Sequence, residues 1–107
     1  MRELANLKVF EHLPAKLTLV EFYAPWCNRC PILEDVLVRL AKQSAFKEIA
    51  FCKVDVQKVA ALVEQYHIMS VPTLILFVDG VAKEKITGYK PENELAKYLQ
   101  EKIKEYY

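Results

Sequence analysis

Apolar positions along this chain recur with two different periods, and each change of period marks the border of an element. Leu17–Tyr23 (LTLVEFY) is a β-rich apolar run interrupted by one acid, Glu21, as expected of a buried strand. From Ile32 onward the spacing switches. Ile32, Leu33, Val36, Leu37, Leu40 and Ala41 form the stripe of an amphipathic helix running from about residue 29 to Gln43. Ile49–Val56 (IAFCKVDV) is a second apolar strand, and Val59, Ala60, Leu62, Val63 and Tyr66 suit a short helix after it. Thr73–Val78 (TLILFV) predicts another strand, Asp79-Gly80 a hairpin turn, and Val81–Gly88 the antiparallel return. Pro91 opens a last helix whose inward stripe is Leu95, Tyr98, Leu99 and Ile103. Ahead of all these, Arg2–Ala5 reads as a short edge strand and Asn6 as the N-cap of a helix through Leu7, Phe10 and Leu13, which Pro14 stops.

This order predicts parallel strands joined by right-handed crossovers and then an antiparallel hairpin. The fold class is therefore α/β, a mixed central sheet of about five strands with helices on both faces. At 107 residues and 53% hydrophobic content, the expectation is one domain, residues 1–107, with one core. Fifteen basic and fourteen acidic residues leave a net charge of +1, with no long run of either sign, so nothing favours nucleic acid or an anionic membrane as partner. The first six residues are interrupted by charge and lack the apolar segment of a signal peptide or membrane span, so a cytoplasmic location is expected.

The chemistry concentrates in Cys27-Asn28-Arg29-Cys30. Two cysteines at this spacing can be a redox pair, half of a zinc site or a coincidence, and their surroundings decide. A strand before and a helix after place Cys27 at a helix N-terminus and Cys30 three residues on, on the same face. Only the thiolate attacks a disulfide, and an unperturbed cysteine titrates near ~8.5. Unpaired helix amides and the helix dipole stabilise an anion at Cys27, and Arg29 adds a full positive charge beside it. Cys30 is then placed to resolve a mixed disulfide formed on Cys27. A zinc site would need further ligands such as Cys52 and His67, and the second paired motif of structural zinc sites is missing, so no metal is expected. Cys52, in the middle of a strand, suits a small buried hydrophobe, while His12 and His67 stand alone.

EFYAPWCxxC followed by an amphipathic helix, then KVDV, SVPTLILF, DG and a later glycine, resembles the thioredoxin family over essentially the whole chain. EFYAPWC is particularly similar to the protein disulfide isomerase branch. The resemblance implies the thioredoxin fold and a dithiol–disulfide oxidoreductase that reduces client proteins. It further implies no cofactor beyond a redox-active Cys27–Cys30 disulfide, electrons from an external reductase such as a thioredoxin reductase, and a monomer.

Residue by residue, the resemblance makes Glu21 a buried acid beneath Cys30, with a raised pKa, that accepts its proton, and Lys53 the lysine near that acid. It makes Pro72 a cis proline lying against the cysteines, and it has Val71 offer backbone groups to an extended peptide. Trp26 flanks the substrate groove and Gly88 lines it. The chain departs from the family at Asn28-Arg29, where thioredoxins carry Gly-Pro and isomerases Gly-His, and at Asp35, which replaces a helix proline. Asn28 is expected to cap the helix, with Arg29, Cys30 and Pro31 as its first residues, and together with Arg29 to tune the redox potential. A disulfide oxidase or isomerase is the alternative within this chemistry. A non-catalytic interaction module or metal carrier is the alternative outside it.

Overall fold

Two crossovers and one hairpin fix the strand order of the sheet. The computed structural model describes residues 1–107. Its strands are β1 (Arg2–Glu3), β2 (Leu17–Tyr23), β3 (Ile49–Asp55), β4 (Thr73–Val78) and β5 (Val81–Thr87), in the order β1-β3-β2-β4-β5. β1 and β2 both run parallel to β3, whereas β4 runs antiparallel to β2 and to β5. The helices are α1 (Cys30–Ala41), α2 (Ala61–Gln65) and α3 (Glu92–Tyr106). This is the mixed five-stranded sheet with helices on both faces expected from the sequence.

Strand alternation sorts the core into two halves. Leu17 and Leu19 of β2, Ile49 and Phe51 of β3, and Leu74, Leu76 and Val78 of β4 pack under α1 and α3, meeting Leu33, Val36, Leu37, Leu40, Leu95 and Leu99. On the other face Val20, Phe22, Cys52, Val54, Ile75 and Phe77 pack against Val59, Leu62, Ile68 and the N-terminal segment. Burying the four aliphatic side chains of α1 contributes roughly 1.5–3 kcal/mol each. Their burial also fixes the helix on the sheet, and Cys30 is its first residue.

The hairpin turn takes the form its residues allow. Asp79 and Gly80 both have positive φ, 51° and 81°, as a two-residue type I′ turn demands. Three boundaries differ from expectation. The segment after Asn6 is a 3₁₀ helix, Leu7–Glu11, capped as anticipated by the Asn6 side chain, which accepts from the Val9 N–H at 3.1 Å. With Pro14 close behind, too few residues remain for an α-helix to propagate. α2 begins only at Ala61 because Asp55 draws the preceding residues into a turn: its carboxylate accepts from Gln57 N–H at 2.8 Å, and its carbonyl accepts from Lys58 and Val59. α1 stops at Ala41, and a short 3₁₀ segment, Ser44–Phe46, follows to bury Phe46.

Candidate active site

β2 and β3 end, and β4 begins, at one end of the sheet, so antiparallel β4 brings its first residues to the place where β2 releases the chain. After Tyr23 the backbone turns, with Cys27 N–H donating to the Ala24 carbonyl at 3.1 Å, and α1 starts at Cys30. Cys27 and Cys30 are joined by a disulfide, their Cα atoms 5.5 Å apart. Both cysteines are buried close to the surface, Cys27 at 8% exposure and Cys30 at 3%, packed with Ala24, Tyr23, Val56 and Val71. Trp26 beside them is 67% exposed, an unusual situation for a large aromatic.

The loop before β4 closes the other side. The Val71–Pro72 peptide bond is cis, Pro72 is buried, and its carbonyl accepts from Gly88 N–H at 2.9 Å. Gly88 has φ +87°, a conformation that L side chains rarely adopt, although a Cβ there would meet nothing within 4 Å. Its glycine is thus required by the backbone and not by crowding. Trp26, Val56, Val63, Ile68, Met69 and Val71 line a shallow, mostly apolar groove next to the disulfide.

Behind the disulfide lies an acid without a partner. Glu21 has the same strand parity as Leu17 and Leu19, so its side chain enters the α1 side of the core. It is fully buried, and neither carboxylate oxygen has a hydrogen-bond partner. Burial, reinforced by the negative charge of Glu34 and opposed by the positive charge of Lys53, pushes its pKa from 4.5 up to about 8. Lys53 pairs in register with Glu21 across β2 and β3. Its ammonium donates instead to both oxygens of Glu34, each at 3.0 Å. The Tyr23 hydroxyl donates to Glu3 at 2.8 and 3.0 Å, and burial together with that hydrogen bond raises its pKa.

The family profile for Thioredoxin matches residues 4–101. The chain belongs to the thioredoxin family. It is 35% identical over 102 residues to a thioredoxin of Mycoplasmoides gallisepticum, covering 94% of this chain and all of that one. It is 36% identical over 89 residues to a thioredoxin of Chlamydia trachomatis, covering 83% and 85% of the two chains. Among solved structures, mitochondrial thioredoxin 3 of Saccharomyces cerevisiae in its oxidised form aligns with a TM-score of 0.83 at 27% identity, over 94% of each chain. Membership in this family, with the Cys27–Cys30 pair at the open end of the sheet, makes the protein a dithiol–disulfide oxidoreductase.

The structure thus gathers Cys27, Cys30, Trp26, Val71, Pro72 and Gly88 around one end of the sheet, with Glu21 and Lys53 paired on β2 and β3 behind it. One expectation is corrected. Asn28 does not cap α1: the residue at the cap is Arg29, with no side-chain cap bond, and both Asn28 and Arg29 are exposed. Lys53 stands beside Glu21 in register and bonds to Glu34 on the helix. Glu34 was missed because, at the level of sequence, it is one more polar position beside the helix stripe. Its place four residues after Cys30, on the same helix face, is the one signal that could have drawn attention to it. Cys52 is fully buried on the opposite side of the sheet and its thiol pKa is raised by burial, which suits packing and not reactivity. No helix is long and apolar enough to cross a membrane.

Proposed function

We propose that the protein is a general reductase of protein disulfides, acting as a single-domain monomer in the cytoplasm with no cofactor beyond its own disulfide. An external reductase, such as a thioredoxin reductase, returns it to the dithiol. Cys27 is the attacking thiolate, three residues ahead of the first helical residue and the more exposed of the pair. It bonds to one sulfur of the client disulfide and displaces the other as a thiolate. Cys30 then loses its proton to Glu21 and attacks the Cys27 sulfur. The Cys27–Cys30 bond forms, the client leaves as a second thiolate that takes its proton from water, and two electrons have passed to the client.

The observation that carries this reading is the disulfide set between exposed Trp26 and a stretch of unpaired backbone. Val71 enters none of the backbone hydrogen bonds outside the regular elements, so its N–H and C=O are free to pair with an extended client segment. Pro72 and Gly88 hold that stretch in place, and Trp26 with Met69 supplies apolar contact. Exposed Arg29 tunes the couple by on the order of 10–20 mV, the equivalent of ~0.5–1 kcal/mol of thiolate stabilisation.

Insulin reduction with dithiothreitol tests the assignment. Cys27→Ser abolishes turnover, and Cys30→Ser accumulates a mixed disulfide with the client. Wild-type turnover by Cys27→Ser would refute it. Equilibration with glutathione fixes the direction: a couple more reducing than the glutathione pool supports a reductase, and one near the pool supports the oxidase or isomerase alternative.

A further inference from the structure

The corner of the sheet behind the disulfide holds the carboxyl groups of Glu3, Glu21, Glu34 and Asp55 and two donors, and the donors are turned away from the innermost acid. Lys53 Nζ lies 3.0 Å from both oxygens of Glu34 and 5.4 Å from the centroid of the Tyr23 ring. The Tyr23 hydroxyl is bonded to Glu3. Glu21, paired in register with Lys53 and two residues before Tyr23, receives neither. Glu34 and Lys53 keep 31% and 23% of their side chains exposed, so the outer pair touches solvent while Glu21 does not.

We propose that Glu34 is a positioning residue that stores the exchange proton: by holding the Lys53 ammonium on its own carboxylate, it leaves Glu21 of the oxidised protein with no donor bonded to it, so that Glu21 keeps a proton to hand to Cys30 when the disulfide opens. This rests on the reading of Glu21 as the proton partner of Cys30. When an external dithiol opens the disulfide, one of its thiolates bonds to the Cys27 sulfur and the Cys27–Cys30 bond breaks. The electron pair goes to the Cys30 sulfur, which takes the proton of Glu21. The second thiol of the reductant then displaces Cys27 as a thiolate.

Glu34 is suited to this because it stands one helical turn beyond Cys30, between solvent and the lysine. Of the elements packed against Glu21, α1 carries Cys30 and Glu34, β3 carries Lys53 and, two residues on, Asp55, and its own strand carries Tyr23. β4 presents only Leu74 opposite it. Of these, Glu34 and Lys53 are the charges that act on Glu21, the first favouring its protonated form and the second its anion. Replacing Glu34 removes the opposing charge and frees the lysine at the same time, so both effects lower the proton affinity of Glu21.

The test is a carbon-13 titration of the Glu21 carboxyl in the oxidised protein, where the cysteines do not titrate, paired with the rate at which dithiothreitol opens the disulfide at pH 8. From the wild-type value of about 8, Glu34→Gln is expected to lower the midpoint by about one pH unit and to slow opening about five-fold, in proportion to the protonated fraction. Glu34→Asp, which keeps the charge, returns both toward wild type, and Lys53→Met raises the midpoint. An unmoved midpoint in Glu34→Gln overturns the inference. Wild-type opening by Glu21→Gln overturns instead the reading of Glu21 on which it rests, and the two failures are seen in different variants.

Discussion

Glu21 and Glu84 each lie close to a lysine and a tyrosine, and their carboxyl groups move in opposite directions. Glu84, on β5, accepts from the Tyr106 hydroxyl at 2.5 Å and from the Tyr98 hydroxyl at 3.4 Å, and Lys102 stands 3.4 Å away. The Tyr106 hydrogen bond is the largest influence, and the carboxyl is held below its ordinary value. Glu21 has Lys53 beside it in register and Tyr23 two residues on, yet both donate elsewhere, and burial drives its pKa up to about 8. A neighbouring cation does not decide how an acid titrates. What decides is whether the carboxylate oxygens receive donors and how much water they have lost.

The largest consequence is for stability against pH. The folded-state pKa of Glu21 lies above its unfolded value of 4.5, so the folded protein binds the extra proton between 4.5 and about 8. Its contribution is therefore fully present below pH 4.5 and is lost as pH rises through 8. Urea unfolding of oxidised wild type and Glu21→Gln is expected to give similar stabilities at pH 4.5. At pH 9 the variant gains the advantage, by on the order of a few kcal/mol. Equal pH dependence of the two proteins would show that Glu21 ionises as freely as Glu84.

A smaller effect sharpens the role of the lysine. Lys53→Met removes the one cation acting on Glu21 and leaves Glu34 unpaired, so the alkaline loss of stability moves to higher pH, by about one pH unit. An unmoved pH dependence would mean that Lys53 acts through packing alone. The smallest effect belongs to the satisfied acid. Glu84→Gln is expected to cost about 1 kcal/mol at pH 7. Because the folded-state pKa of Glu84 is lowered, that cost is present above 4.5 and shrinks as pH falls through the lowered value, as acid and neutral unfolding series would show.

The ladder of strands was legible because each buried strand carries its own signal. Thr73–Val78 is buried on both faces and apolar from Leu74 onward, and Asp79-Gly80 announces the turn in two residues. The boundaries that moved are those where a local hydrogen bond competes with helix, as Asp55 does ahead of α2. The cysteine pair was legible from spacing and its flanks. Glu21 was legible as a polar residue in an apolar run, and the role proposed for it came with the family resemblance. Asn28 failed as a cap because the helix begins at Cys30, one residue later than its side chain could serve.

The sequence by itself determined the two hydrophobic periods, the turn residues and the cysteine spacing, all of them relations among residues that are neighbours along the chain. The choice of carboxylate that holds Lys53 was made only in three dimensions. Glu21, Glu34 and Lys53 come from three elements, and the helix residue lies 19 positions from the lysine it binds. β pairing sets Glu21 and Lys53 side by side, yet the docking of α1 through Leu33, Val36, Leu37 and Leu40 brings Glu34 over them. An ammonium at a partly exposed edge keeps some of its hydration when it pairs with Glu34, whereas reaching inward to Glu21 would strip both charges of water. That difference in desolvation leaves the buried acid alone, and no pattern along the chain encodes it.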